Sequence, residues 1–242
     1  MALYNIAGLK VNMDIRYPYL ADKAAPYMVS SENDASADIT VSVTDEELEM
    51  CSKMHKGDKF MPEYEYVLLG GAFYFELLKF GGMMLHSSAV VAGGAAYLFS
   101  ADSGTGKSTH TSLWLKLLGD RAYILNDDKP AVRVVDGKVY AYGTPFSGKN
   151  DINVNACVPL GAICFIERAE ENSIEKLTPS EAIPLILTQT QRKSDRDIME
   201  KLLGVLDKIL SSVNVYKLKC NMDISAAELS YNTMKSGGND EQ

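Results

Sequence analysis

The sequence predicts an α/β fold built on a mixed sheet, with a smaller β-rich portion at its amino terminus. Three observations predict it. From Met83 onward, short apolar strand signals alternate with helix signals. Two glycine-marked turns, Gly93-Gly94 and Asp136-Gly137, each lie between apolar runs and read as hairpins, which requires antiparallel pairs in the sheet. A glycine-rich loop, Ser103 to Thr109, lies between an apolar strand and an apolar-faced helix.

The amino-terminal portion is taken as residues 1–82. Ile6 to Ile15 alternates loosely as one half-buried strand, and Ala37 to Val43 alternates more cleanly. Tyr17 to Ala35, rich in Pro, Ser, Asn and Asp, reads as loop. Tyr64 to Phe80 is an aromatic, Leu-rich helix candidate, weakened by Gly70-Gly71 and stopped by Gly81-Gly82. The core is taken as residues 83–235. In it, Ser87–Val91 and Ala95–Phe99 form the first hairpin, and Ser108 to Leu118 is a helix with Leu113, Trp114, Leu117 and Leu118 on one side. Ala122–Leu125 is a strand running into Asn126-Asp127-Asp128, and Val132–Val135 with Lys138–Tyr142 is the second hairpin. Ala162–Ile166 is a further buried strand. Thr178-Pro179-Ser180-Glu181 is a capping box, followed by a helix from about Asp195 to Leu210 and a strand at Val213–Leu218. Ser225-Ala226-Ala227-Glu228 reads as a second capping box, and residues 236–242 as a flexible tail.

Bulk properties exclude some functions. The 242 residues are 46% hydrophobic with a formal net charge of -8, an ordinary globular balance that argues against a nucleic-acid partner. The chain starts without a basic segment and apolar run, and no stretch approaches the ~20 apolar residues that span a bilayer. A cytoplasmic protein with no membrane partner is expected. Cys51, Cys157, Cys164 and Cys220 are scattered, without the spacing of a zinc site or a disulfide framework.

The loop carries the chemistry. Ser103, Gly104, Thr105, Gly106, Lys107, Ser108 and Thr109 have the make-up of a P-loop, in which glycines let backbone N–H groups turn inward onto phosphate oxygens. The helix amino terminus adds its dipole. Lys107 reaches the outer phosphates of ATP, and the Ser108 hydroxyl is a ligand for Mg²⁺. The usual first glycine is replaced by Ala101, which predicts a slightly altered first turn. Asp127 and Asp128 follow at the end of the next strand, which a parallel sheet would bring beside the phosphates. One of them can hold the metal and the other can act as base towards a hydroxyl. His86 opens the first hairpin and is either structural or a proton partner of Asp127.

These residues together resemble the catalytic domain of HPr kinase/phosphorylase, itself related in fold to ATP-dependent phosphoenolpyruvate carboxykinase. The resemblance rests on His86-Ser87-Ser88-Ala89-Val90, Asp102 to Ser108 and Asn126-Asp127-Asp128, in that order. A group of small bacterial HPr-kinase-like proteins is similar over more of the chain, through His110 to Trp114, Asn126 to Pro130 and Tyr142 to Lys149. Some relatives of that kind phosphorylate a serine of a precursor peptide. The resemblance implies Asp127 as general base assisted by His86, and Asp128 with Ser108 as Mg²⁺ ligands. It further implies a second active-site loop over Gly143 to Lys149, with Lys149 contacting phosphate or substrate. Arg133 is a weaker candidate of the same kind. The arginine-glycine signature of HPr kinase/phosphorylase is not found here, so neither phosphorolysis nor HPr as substrate is implied.

The expected activity is ATP- and Mg²⁺-dependent phosphoryl transfer to a hydroxyl of a peptide, a protein or a small molecule, by a chain that could form homo-oligomers. The alternatives are a nucleotide-binding regulatory module without transfer, and a carboxykinase-like lyase.

Overall fold

A computed structural model describes residues 1–29, 36–55 and 60–236. The amino-terminal portion begins with β1 (Ala2–Ile6) and β2 (Leu9–Met13), an antiparallel hairpin. Ala7 and Gly8 make its turn at φ 54° and 71°, the left-handed pair that suits a two-residue hairpin. The single strand expected over Ile6 to Ile15 is therefore two strands. α1 (Pro18–Ala24) follows, with proline in its first turn, where a missing N–H costs nothing. The buried carboxylate of Glu65 accepts from the N–H of Arg16 and Tyr17, at 2.8 and 3.1 Å, just ahead of that helix. The expected loop from Tyr17 is thus helical in its first part, and residues 30–35 lie outside the described residues.

β3 (Ile39–Val41) joins β2 in parallel and completes a three-stranded sheet. α2 (Asp45–Met54) starts at a capping box: Thr44 Oγ1 accepts from the Glu47 N–H at 3.2 Å, and Glu47 accepts from the Thr44 N–H at 2.8 Å. α3 (Met61–Leu77) passes through Gly70, where a Cβ would lie 2.9 Å from the Phe146 ring. That glycine is a packing requirement and does not break the helix. Gly81, at φ 68°, ends the short 3₁₀ turn that follows. The portion is consequently richer in helix than in strand, and the β-rich expectation is corrected.

The large sheet begins with β4 (Gly82–Met84), β5 (Ser87–Ala92) and β6 (Ala95–Ser100). α4 (Lys107–Leu118) leads to β7 (Ala122–Asp128), then β8 (Ala131–Val135), β9 (Lys138–Tyr142) and the long β10 (Cys157–Arg168). β11 (Ser173–Leu177), α5 (Pro179–Thr188), α6 (Arg196–Leu210), β12 (Asn214–Cys220) and α7 (Ile224–Ser236) complete it. β10 links the halves of this mixed sheet: its start pairs antiparallel with β9, while later residues pair parallel with β6 and with β12. α4 and α7 cover one face, with Trp114 and Met234 in the same core as Phe99 of β6, and α5 and α6 cover the other through Ile186, Leu202 and Leu206. α7 starts at Ile224, ahead of the expected box, and Ser225 Oγ accepts instead from Asn172 at 3.0 Å. Of the expected tail, residues 237–242 lie outside the described residues and Ser236 is the last of α7.

One detail positions everything below. β5 runs antiparallel to both β6 and β7 and lies between them, so those two strands point the same way without touching. Ser87 is the register partner of Ser100 on one side and of Asp128 on the other. The sheet next to the loop is therefore not the simple parallel pair expected. The two strand ends are nevertheless level, and the aspartates come alongside the loop. No described helix is long and apolar enough to cross a membrane.

Candidate functional site

The loop between β6 and α4 turns on its glycines. Gly104 and Gly106 have φ of 78° and 125°, and no other residue from Ala101 to Lys107 has positive φ. Ala101 is buried in an ordinary conformation, so the missing glycine costs the turn nothing there. Its carbonyl accepts from Lys107 Nζ at 2.9 Å, folding the lysine back over the loop. Burial lowers the Lys107 pKa, against the pull of Asp128, Asp127 and Asp102, which raises it.

A polar cavity of about 410 Å³ opens beside the loop, lined by His86, Lys107, Ser108, Asp127, Asp128 and Lys149 among others. Most residues expected in a site from sequence thus share one cavity. The pairing inside it differs from expectation. Ser108 Oγ donates to Asp127 Oδ1 at 2.9 Å, and Asn150 donates to the other oxygen of Asp127 at 3.2 Å. His86 Nε2 lies 3.2 Å from Asp128 Oδ1, and Lys129 pairs with Asp128 Oδ2. The expected partnerships, His86 with Asp127 and Ser108 with Asp128, are exchanged. The cause is the alternation of side chains along β7: neighbouring residues face opposite ways, one towards α4 and one towards the start of β5.

Asp128 is held in place by charge. Burial pushes its pKa up, but the hydrogen bond from His86 and the charge of Lys129 outweigh that and bring it down to about 2. Its backbone has φ 153°, an unusual value for a residue with a side chain.

Gln189, at the end of α5, was not singled out in the sequence. Its Nε2 donates to Asp102 Oδ1 at 2.8 Å, its Oε1 lies 3.0 Å from His86 Nδ1, and its carbonyl accepts the His86 N–H at 2.7 Å. A carboxylate only accepts, so Asp102 orients the amide, and Gln189 Oε1 then accepts the hydrogen bond from His86 Nδ1–H. The second ring nitrogen faces Asp128. No local motif marks this glutamine, because it lies 103 residues from His86.

The 143–151 loop closes the cavity from the side opposite α4. Gly148 sits at φ 69°, and a Cβ there would lie 2.9 Å from Asp128 Cβ and 3.3 Å from the Asp127 carbonyl. Lys149 is exposed at the mouth. Gly143 is packed harder still, with room for no Cβ against the Val154 carbonyl. Arg133 is elsewhere: it donates to the carbonyls of Ala7 and Phe80, at 2.6 Å and at 3.2 to 3.3 Å. It is a structural clamp and does not face the cavity.

Two other details complete the surroundings. His110 is buried on α4, and burial lowers its pKa to about 4, so it is neutral. Cys164 is buried with its pKa raised by desolvation, and all four cysteines are free thiols.

The family described as "SynChlorMet cassette protein ScmC" matches residues 69–223, more than half of the chain. The chain belongs to that family. The matched span of this ScmC-family chain includes His86, the glycine loop, both aspartates, Gly148 and Gln189, while Lys23, Tyr27 and Tyr66 precede it. Among solved structures, the Hpr(Ser) kinase/phosphatase from Coxiella burnetii is similar at 13% identity and a TM-score of 0.38, over 64% of this chain and 97% of that one. No curated protein matches the chain.

Proposed function

We propose that this chain is an ATP- and Mg²⁺-dependent kinase that passes the γ-phosphate to a hydroxyl of a peptide, protein or small molecule. The observation that carries this reading is that two carboxylates, a histidine and two lysines converge on one glycine loop at a helix amino terminus. Pure nucleotide binding needs the loop and Lys107 but has no use for His86 poised on Asp128.

The oxygen donors suit Mg²⁺, which takes one or two carboxylates and completes its shell with water and phosphate. Ser108 Oγ and Asp127 Oδ1, already 2.9 Å apart, are the residues that would hold it. Bound there, the ion would neutralise charge on the phosphates. The protein's own groups do the rest. The loop N–H groups and Lys107 fix the triphosphate, and Asn150 holds Asp127 in orientation. Asp128, the carboxylate beside His86, receives the proton of the acceptor hydroxyl as the new O–P bond forms and the bond to the ADP oxygen breaks. Lys149, at the mouth, contacts the transferred phosphate or the acceptor. The contacts therefore support Asp128 as base and Asp127 as metal ligand, the reverse of the assignment drawn from the resemblance.

The test is a pair of variants. Asp128→Asn is expected to keep Mg²⁺-ATP binding and lose about 10²–10⁴-fold in transfer rate. Asp127→Asn is expected to weaken Mg²⁺-dependent nucleotide binding itself. Wild-type turnover in Asp128→Asn would sink the base assignment. Tight ATP binding by the wild type with no ADP formed over a panel of hydroxyl acceptors would favour the regulatory module instead.

A further inference from the structure

Both oxygens of Asp128 are engaged: His86 Nε2 lies 3.2 Å from Oδ1, and Lys129 Nζ pairs with Oδ2. An acceptor hydroxyl that hands its proton to Asp128 needs one of these oxygens to turn to it, and the partner that can yield decides which.

The two partners are anchored differently. His86 is fixed at three points: its Nδ1 lies 3.0 Å from Gln189 Oε1, its N–H donates to the Gln189 carbonyl at 2.7 Å, and its carbonyl accepts from Ser100 Oγ at 2.8 Å. Lys129 is fixed at its backbone. Its N–H donates to Asn126 Oδ1 at 2.9 Å, and its carbonyl accepts from Thr144 Oγ1 at 2.8 Å and from Tyr74 Oη. Its charge is held far less. Apart from Asp128, the ammonium meets only the Tyr66 ring among the described residues, with Nζ 5.8 Å from the centroid, and the side chain is 30% exposed. A rigid backbone carrying a loosely held charge on a flexible four-carbon stem is the build of a group that can swing.

Positive charge is wanted close by. Phosphoryl transfer spreads negative charge over the oxygens of the moving group, and cations aimed there lower the barrier. Lys107 is folded over the glycine loop onto the Ala101 carbonyl, and Arg133 is occupied with Ala7 and Phe80. The charge of Lys129 opposes that of Lys107, so both act on the same space. We infer that Lys129 is a further catalytic residue, whose ammonium passes from Asp128 Oδ2 to an oxygen of the transferring phosphoryl group. That one movement bares Oδ2 for the acceptor proton and brings a cation to the forming O–P bond. The ammonium keeps its protons; the hydroxyl proton goes to Oδ2, and the electron pair of the breaking bond goes to ADP. The inference rests on the kinase reading above.

The experiment uses Mg²⁺-ADP with aluminium fluoride, which stands in for the moving phosphoryl group, so no acceptor is needed. Calorimetry on the full chain compares it with Mg²⁺-ADP alone. The wild type is expected to bind ADP at least about a hundredfold tighter with fluoride. Lys129→Met is expected to lose about tenfold of that gain and to bind ADP alone as the wild type does. Lys129→Gln serves if the methionine variant does not fold. The same loss is expected on an Asp128→Asn background, because the cation acts on the phosphoryl group directly. If the loss disappears on that background, or ADP and the fluoride complex weaken equally, the inference is overturned while the kinase reading stands. A fluoride complex undiminished in the Lys129 variants overturns it likewise. A wild type that gains nothing from fluoride overturns the kinase reading and this inference together.

Discussion

The two loops that face each other across the polar cavity are supported in opposite ways. The glycine loop is held from within the core portion: Lys107 returns to Ala101, Thr105 N–H bonds the Asp102 carbonyl, α4 begins immediately, and Arg168 and Gln189 reach the carbonyls of Gly104 and Thr105 and the Asp102 carboxylate. The 143–151 loop is held from far away. Tyr66 Oη accepts from the Gly148 N–H at 3.0 Å, Lys23 reaches the Gly148 carbonyl at 3.3 Å and Asp151 at 2.8 Å, and Tyr27 donates to Asn153 at 2.6 Å. Phe146 inserts among Tyr66, Phe73 and Tyr74 of α3. The donor side of the site is thus supported within the core portion, while the side that closes on the aspartates is supported by the amino-terminal portion. A single core containing Phe146, Tyr142 and Ala131 with residues from β1 to α3 expresses the same dependence.

The comparison can be broken most severely at Gly148. Gly148→Val is expected to expel the second loop from Asp128, because the new side chain meets backbone and Cβ and the φ is left-handed. Transfer should fall more than about 100-fold and stability by about 2–3 kcal/mol, read by turnover and thermal melting. Binding of tripolyphosphate should survive, since none of the contacts that hold the glycine loop comes from the second loop. Its loss would show that the two loops are not independent.

Gln189→Ala is the next test. It leaves His86 without its Nδ1 acceptor and Asp102 without its donor, so transfer is expected to fall about tenfold with nucleotide affinity kept. Gln189→Glu is expected to lose as much, because its carboxylate can accept from Nδ1 but lies against the Asp102 carboxylate with no donor between them. An equal loss in affinity would mean that the glutamine serves only the glycine loop. Lys23→Met is expected to act more mildly. It leaves the half-exposed Asp151 unpaired, and about 1 kcal/mol of stability and a threefold change in KM for the acceptor are expected. A change in KM for ATP instead would contradict the division between the loops.

A further effect concerns acid. Asp128 titrates lower in the folded chain, about 2, than its ordinary 3.8, so it contributes stability above the ordinary value that is lost as pH falls from about 4 towards 2. Asp128→Asn should flatten that part of a melting-temperature profile, and an unchanged acid limb would show that the ion pairs there are compensated elsewhere.

What was legible in the sequence follows the same division. Local signals sufficed for the loop, for α4, for the Asp136-Gly137 hairpin and for α6, because each is decided within a few residues. The Thr44–Glu47 capping box is just as local a signal and marks the start of α2. The partners of His86 and Ser108 were not legible, since they depend on β5 lying between β6 and β7. Nor was Gln189, whose importance comes from the packing of α5, and nor was the support of Gly148 from Tyr66. Such contacts join residues from 19 to 103 positions apart, and no pattern of spacing encodes them.

The Arg133 clamp bears on how the molecule is assembled. One guanidinium gathers the carbonyls of residue 7 and residue 80, near opposite ends of the amino-terminal portion, onto β8. That contact closes a ring of chain whose entropy cost is met only once β8 has found its place in the sheet. One residue of the large sheet thus pins both ends of the portion against which Phe146 packs, so a change at Arg133 is felt at the second loop through that shared core.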